Sequence, residues 1–175
     1  DFLKMNGGKK FSFETLDAAK NFYSGKPKGD WEPQTLLKDK TVLILGSGPS
    51  VKKYQAAIES YIEQTQPYVI AVNTQSNIRQ NLINAHIACH PVRLLADCKD
   101  HIKLPQPLIT PLSMLPEVIK NNLANKEILD FGITLSNRSF KFNQNYCELP
   151  SPMVIAYSLA VTNSGLAKQI ILAGF

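Results

Sequence analysis

Long hydrophobic runs are missing from this sequence. No stretch approaches the ~20 apolar residues that a bilayer-spanning helix needs, so no membrane span is expected. Asp1–Lys10 is polar and basic, unlike a secretory signal. Cysteine is scarce: there are three, an odd number, with no CxxC pair. Reduced thiols and a cytoplasmic location are the expectation. Concentrated positive charge is also lacking. The formal charge is +5, yet the densest basic clusters are the pairs Lys9-Lys10 and Lys52-Lys53, without interleaved aromatics. A nucleic-acid groove is not expected, whereas an anionic small molecule fits this balance. Finally, the sequence contains no nucleophile elbow, P-loop, HExxH or paired-carboxylate motif. His90 and Asp97 fall near the expected crevice, but no catalytic role can be assigned to either from sequence.

What is present centres on Thr41–Ser50, TVLILGSGPS. Val42–Leu45 is an uninterrupted aliphatic run of the kind found in strands buried on both faces. Gly46-Ser47-Gly48-Pro49-Ser50 follows, and Val51, Tyr54, Ile58, Tyr61 and Ile62 then recur at helical spacing. Strand, glycine turn and helix over about 51–64 gather backbone N–H groups at one point, an arrangement suited to a phosphate. Ser50 is expected to cap that helix. Lys52 and Lys53 fall in its expected first turn, where an anion would offset their repulsion by the helix dipole. A dinucleotide fingerprint would need a third glycine where Val51 stands, and an acid where the next strand, Tyr68–Val72, ends in Asn73. Both departures point away from NAD or FAD and leave a mononucleotide or nucleotide sugar. The competing explanation is a tight turn whose glycines serve backbone geometry alone.

The remaining chain alternates strand and helix. Residues 1–25 are expected to form the helical tail of a preceding domain, with Ser12 as its N-cap. Residues 26–39, rich in Gly, Pro and charge, are expected to be a linker, and 40–175 the main domain. Asn73-Thr74 begins a polar turn, a short helix is expected near 78–83, and short apolar runs follow at 85–88 and 92–96. Strands are expected near 107–110, 128–135, 139–142 and 169–173, the last one buried, with a helical face over 114–123 and a turn at 137–138. Ser151-Pro152 marks the expected start of a buried helix, with Ser151 as N-cap and Gly165 closing its end. The fold class that follows is α/β: a Rossmann-like, mostly parallel sheet with helices on both faces. His86-x-x-Cys89 and Cys98-x-x-His101 resemble ligand pairs for zinc. On a strand, however, His86 and Cys89 point to opposite faces, so no metal is expected.

Three segments in order, LILGSGPSV, YVIAVNTQ and SPMVIAYSLAVTNSGLAKQIILAGF, resemble the core of sialyltransferase-like domains. That group includes bacterial CMP-sialic-acid-dependent sialyltransferases and the related motility-associated-factor and pterin-diphosphokinase-like proteins. The resemblance covers about Lys40 to Phe175. It implies that Gly46, Ser47, Gly48, Pro49 and Ser50 hold the nucleotide together with Asn73 and Thr74, and that Ser151 faces the same crevice. The implied ligand is a CMP- or UDP-type nucleotide or nucleotide sugar, and the implied activity is sialyl-type glycosyl transfer in surface polysaccharide synthesis. In the sialyltransferases the general base is a His beyond the final strand, and no residue up to Phe175 corresponds to it. The start of the chain also resembles the junction in proteins that join such a domain to an aldolase barrel of the HMG-CoA-lyase or 4-hydroxy-2-oxovalerate type. That likeness implies an alternative, a non-catalytic accessory domain with an upstream aldolase partner. On both counts the chain is expected to be part of a longer protein.

Overall fold

The computed structural model describes residues 27, 29–75, 77–136, 140–150 and 152–175. The helix expected before residue 25, the turn expected at 137–138, and Ser151 lie outside these residues. In chain order the elements begin with a short helix α1 (Gln34–Leu37), β1 (Thr41–Leu45), α2 (Pro49–Lys53), α3 (Gln55–Thr65) and β2 (Tyr68–Val72). A 3-10 turn at Gln80–Leu82, β3 (Ala85–Ile87), α4 (Pro91–Lys103), β4 (Leu108–Thr110), α5 (Glu117–Asn122) and β5 (Ile128–Asp130) follow. The last are β6 (Gly132–Leu135), β7 (Lys141–Phe142), β8 (Tyr146–Leu149), α6 (Val154–Ser164) and β9 (Gln169–Ala173).

Six strands form one sheet in the order β5-β4-β3-β2-β1-β9. Every pairing in it is parallel. Thr41–Leu45, Tyr68–Val72 and Gln169–Ala173 thus share a parallel sheet, as their unalternating apolar character predicts. Both faces are covered. Val42, Ile44, Ile70 and Val72 join the core cluster that contains Tyr157, Ala160 and Val161 of α6. Leu43, Leu45, Val69 and Ala71 face the other way and pack with Val51 and Ile62 of α2 and α3. The period of two along each strand assigns alternate residues to opposite faces. Burying a Val, Leu or Ile side chain contributes about 1.5–3 kcal/mol, so the neighbouring strands β1 and β2, each with four of five residues buried, anchor the molecule.

Several elements depart from expectation. The expected strand 128–135 breaks at Phe131: β5 belongs to the main sheet, whereas β6 joins a second sheet of order β6-β8-β7. The switch has a hydrogen-bond cause. Phe131 N–H still reaches Thr110 of β4, but Gly132 N–H donates to Asn145 beside β8. This small sheet packs on α6, where the Phe131 and Tyr157 rings lie 5.9 Å apart and the Tyr157 hydroxyl donates to the Phe131 carbonyl. The 92–96 run lies within α4, and the helical stretch expected over 114–123 is helix only from Glu117 to Asn122. α6 begins at Val154 with Met153 as N-cap, later than Ser151-Pro152 indicated, although Gly165 does end it. Two buried polar residues of α6 return their hydroxyls to the helix, Ser158 to the Val154 carbonyl and Thr162 to that of Ser158. β9 is not the buried strand expected. It is the sheet's edge, with Leu172 48 % exposed.

Residues before β1 also pack on this body. Leu37 is fully buried, and the N–H groups of Asp30 and Trp31 donate to the Asp130 carbonyl. Among the described residues no helix is long and apolar enough to cross a membrane.

Candidate functional site

The strand order fixes where a site can form. From β1 the chain moves outward through β2, β3, β4 and β5, then returns to place β9 on β1's other side. The carboxyl ends of β1 and β9 therefore flank a topological switch point, the usual ligand crevice of open α/β sheets. A cavity of about 340 Å³ lies there. It is lined by Gly46, Ser47 and Gly48 after β1, Asn73 after β2, and Gly174 and Phe175 after β9, with the start of α6 alongside. A second, polar cavity lined by Ser47, Asn73 and Thr74 adjoins it.

The glycines have a structural cause. Gly46 N–H donates to the Ala173 carbonyl at 2.8 Å and Gly48 N–H to the Gly174 carbonyl at 2.9 Å. A Cβ on Gly48 would stand 2.6 Å from the Gly174 oxygen, and one on Gly46 would meet the same atom. Gly174 itself has φ 83°, and a Cβ there would collide with Val51. The turn and the end of β9 thus press backbone against backbone, which only glycine allows. These two N–H groups are consumed by that contact and do not face an anion, contrary to the sequence-based expectation. The N–H of Ser47 and of Ser50 have no hydrogen bond among the described residues, and both side chains are exposed.

Two further expectations are corrected at this turn. Gly48, not Ser50, is the N-cap of α2, Pro49 occupies its first turn, and no side chain caps it. The helix also starts earlier than residue 51 and breaks at Tyr54, so α2 is one short helix and α3 another. Lys52 and Lys53 consequently fall in the last turn of α2, where the dipole favours cations. They are solvent-exposed, Lys53 lying 5.1 Å over the Tyr54 ring. Pro49 and Ser50 line neither cavity. Val51, where a dinucleotide fingerprint would have glycine, is fully buried against this packing.

Asn73 turns the chain at the end of β2 with φ 54°, a left-handed conformation that Asn tolerates better than most residues. Its N–H donates to the Ile87 carbonyl, and its own carbonyl accepts from His86 Nδ1 at 2.7 Å. The carbonyl can only accept, so Nδ1 carries a proton, while Nε2 faces the Gln80 amide oxygen at 3.3 Å. Burial is the main force holding its pKa below the ordinary value, and the bond to Asn73 opposes it. Asn73 lines both cavities.

The crevice thus brings together Gly46, Ser47, Gly48, Asn73 and Thr74. Gly174, Phe175 and Met153–Ile155 join them, because the strand order brings the end of β9 and the start of α6 beside the end of β1. Asp97 is held by Arg93 at 2.5 Å on α4, and His90 is that helix's N-cap. Among the described residues no group of three or more His, Cys, Asp or Glu is placed to hold a metal. The cysteines are buried, and Cys89 Sγ reaches the Pro152 carbonyl.

The sequence matches no family profile and no curated protein sequence. The fold is similar to that of a MAf glycosyltransferase from Magnetospirillum magneticum AMB-1, with a TM-score of 0.58 and 13 % identity over 92 % of this chain. This chain spans 26 % of that protein's length, and at such identity the likeness is one of fold: a motility-associated-factor-like α/β architecture.

Proposed function

We propose that this domain binds a nucleotide or nucleotide sugar of the cytidine or uridine type in the β1–β9 crevice, and that within a longer protein it serves glycosyl transfer. The observation that carries the reading is the convergence of Ser47, Asn73 and Phe175 on one cavity at the switch point of a parallel sheet. In this reading the Ser47 N–H and hydroxyl meet the phosphate. The Asn73 amide and Thr74 meet the ribose or base, and the exposed Phe175 ring gives the base or sugar an apolar wall. Ser151 retains its role at the crevice as a proposal drawn from the sequence resemblance. The fold shared with a glycosyltransferase supports the transfer chemistry, and the accessory-aldolase alternative has no support in the geometry.

Thermal melts with CMP, CDP, UMP, UDP and NAD, repeated by calorimetry, test this. A pyrimidine nucleotide at 100 times its Kd is expected to stabilise the fold by about 2.7 kcal/mol. Asn73→Gly, which removes the amide while keeping the left-handed backbone, is expected to weaken nucleotides and spare inorganic phosphate. No shift with any nucleotide at millimolar concentration would end the binding reading. A shift with NAD alone would show that the inference from Val51 and Asn73 was mistaken.

A further inference from the structure

The polar cavity beside the glycine turn has its own chemistry. Its volume is about 200 Å³, and it shares Ser47, Val72 and Asn73 with the larger cavity, so the two form neighbouring compartments of one crevice. Beyond the shared residues its walls are Thr74, Gln75, Asn77 and Arg93. No carboxylate lines it. Arg93 stands in the first turn of α4, a helix of 13 residues whose positive dipole end opens at Pro91. Its Nε donates to Asp97 Oδ2, one turn further along, at 2.5 Å. Asp97 is 7 % exposed and anchors the guanidinium from behind, leaving the Nη groups for another partner.

Gln75 supplies an independent observation. It is only 3 % exposed, and its Oε1 accepts from the Asn77 N–H at 2.6 Å, which sets the plane of the amide. Its Nε2 has no hydrogen-bond partner among the described residues. A buried donor left unpaired is costly, and an acceptor in this cavity would remove the cost. A fixed guanidinium, an unpaired amide donor and the hydroxyls of Ser47 and Thr74 together select an anion, and the Arg fork suits a phosphate or carboxylate.

We propose that this compartment holds a second anionic group of the same ligand, bound by the Arg93 guanidinium and Gln75 Nε2. That group is either the outer phosphate of a nucleoside diphosphate or the carboxylate of an acidic sugar carried on a nucleoside monophosphate. The proposal rests on the nucleotide reading of the adjacent cavity.

Calorimetric titration of the 175-residue chain with CMP, UMP, CDP, UDP and CMP-N-acetylneuraminate separates the two readings. Arg93→Gln is expected to weaken the doubly anionic ligand ~10- to 100-fold, the worth of a charge-assisted hydrogen bond, while CMP and UMP stay within about twofold. Because Arg93→Gln also strips Asp97 of its partner, Gln75→Glu provides a second variant. It keeps the acceptor for Asn77, leaves the Arg93–Asp97 pair intact, and is expected to weaken the same ligands selectively. Loss confined to CDP and UDP assigns the outer phosphate, and loss confined to the CMP-linked acidic sugar assigns the carboxylate. If monophosphates and doubly anionic ligands weaken equally, or neither weakens, the second anion site is wrong while the nucleotide reading stands. If no nucleotide binds the unaltered chain, the nucleotide reading fails and this inference with it.

Discussion

Gly48 shows how one residue can satisfy two explanations that diverge experimentally. A glycine kept for ligand access would leave the unliganded protein indifferent to a methyl group. Here the methyl of Gly48→Ala would stand 2.6 Å from the Gly174 carbonyl oxygen, backbone that cannot swing aside. The variant is therefore expected to lose about 1–3 kcal/mol in urea denaturation with no ligand present, the range for overpacking a tight contact. An unchanged unfolding midpoint would show that the turn is looser than described and return the glycine to a ligand role. Such a variant is a poor probe of nucleotide binding, because lost affinity would follow from a displaced β9 end. Asn73 is the better handle. It lines both cavities, and glycine can replace it without disturbing φ 54°. The double glycine was visible in the sequence, but the partner that demands it, Gly174, lies far along the chain and becomes its neighbour only through the pairing of β1 with β9.

At the scale of elements, legibility followed burial and length. β1 and β2 occupy the very limits that their aliphatic runs indicate, because strands covered on both faces tolerate little else. The second sheet was not legible. β7 has two residues, and β8 reads Tyr-Cys-Glu-Leu, with half-buried and buried positions alternating over too few residues to stand out. β9 misled in the opposite direction: QIILA resembles a central strand, yet nothing pairs with its outer side among the described residues. Paired substitutions separate a central strand from an edge. Ile44→Ala removes a fully buried side chain between two paired strands and is expected to cost about 2–5 kcal/mol. Leu172→Ala, at a position 48 % exposed, is expected to cost less than about 1 kcal/mol. Denaturant midpoints measured on the same 175-residue chain decide it, and equal losses would mean that β9 is covered. Of the crevice, the sequence disclosed the β1 turn and the β2 turn. Arg93 and Gln75 went unnoticed because no motif joins them, and they meet only where α4 begins beside the end of β2.

Across the whole molecule, the distribution of buried titratable groups sets how stability responds to acid. His101 is fully buried on α4, and neither ring nitrogen has a hydrogen-bond partner among the described residues. Burial, reinforced by Lys126 and Arg93 and by repulsion between the two rings whenever His86 is also protonated, and opposed by Asp100, pushes its pKa from the ordinary 6.5 down to about 4. His86, held against the Asn73 carbonyl, is lowered as well, again mainly by burial. Between those two values the unfolded chain binds a proton that the folded chain refuses. Stability is therefore complete above about pH 6.5, declines as the pH falls, and levels off once the folded His101 also protonates near pH 4. Asp130 works the other way, since burial raises its pKa and the folded state accepts its proton more readily than the unfolded chain. The loss from His101 is on the order of 3 kcal/mol. Urea titrations at steps from pH 7.5 to 4.5 should show this decline, and His101→Gln should flatten most of it, since Gln occupies similar space without titrating. A slope unchanged in His101→Gln would assign the acid sensitivity elsewhere. Protonation of His86 would leave the Asn73 turn anchored: Nδ1 already donates to the Asn73 carbonyl, and Nε2 faces the Gln80 amide oxygen at 3.3 Å, an acceptor that a protonated ring can meet.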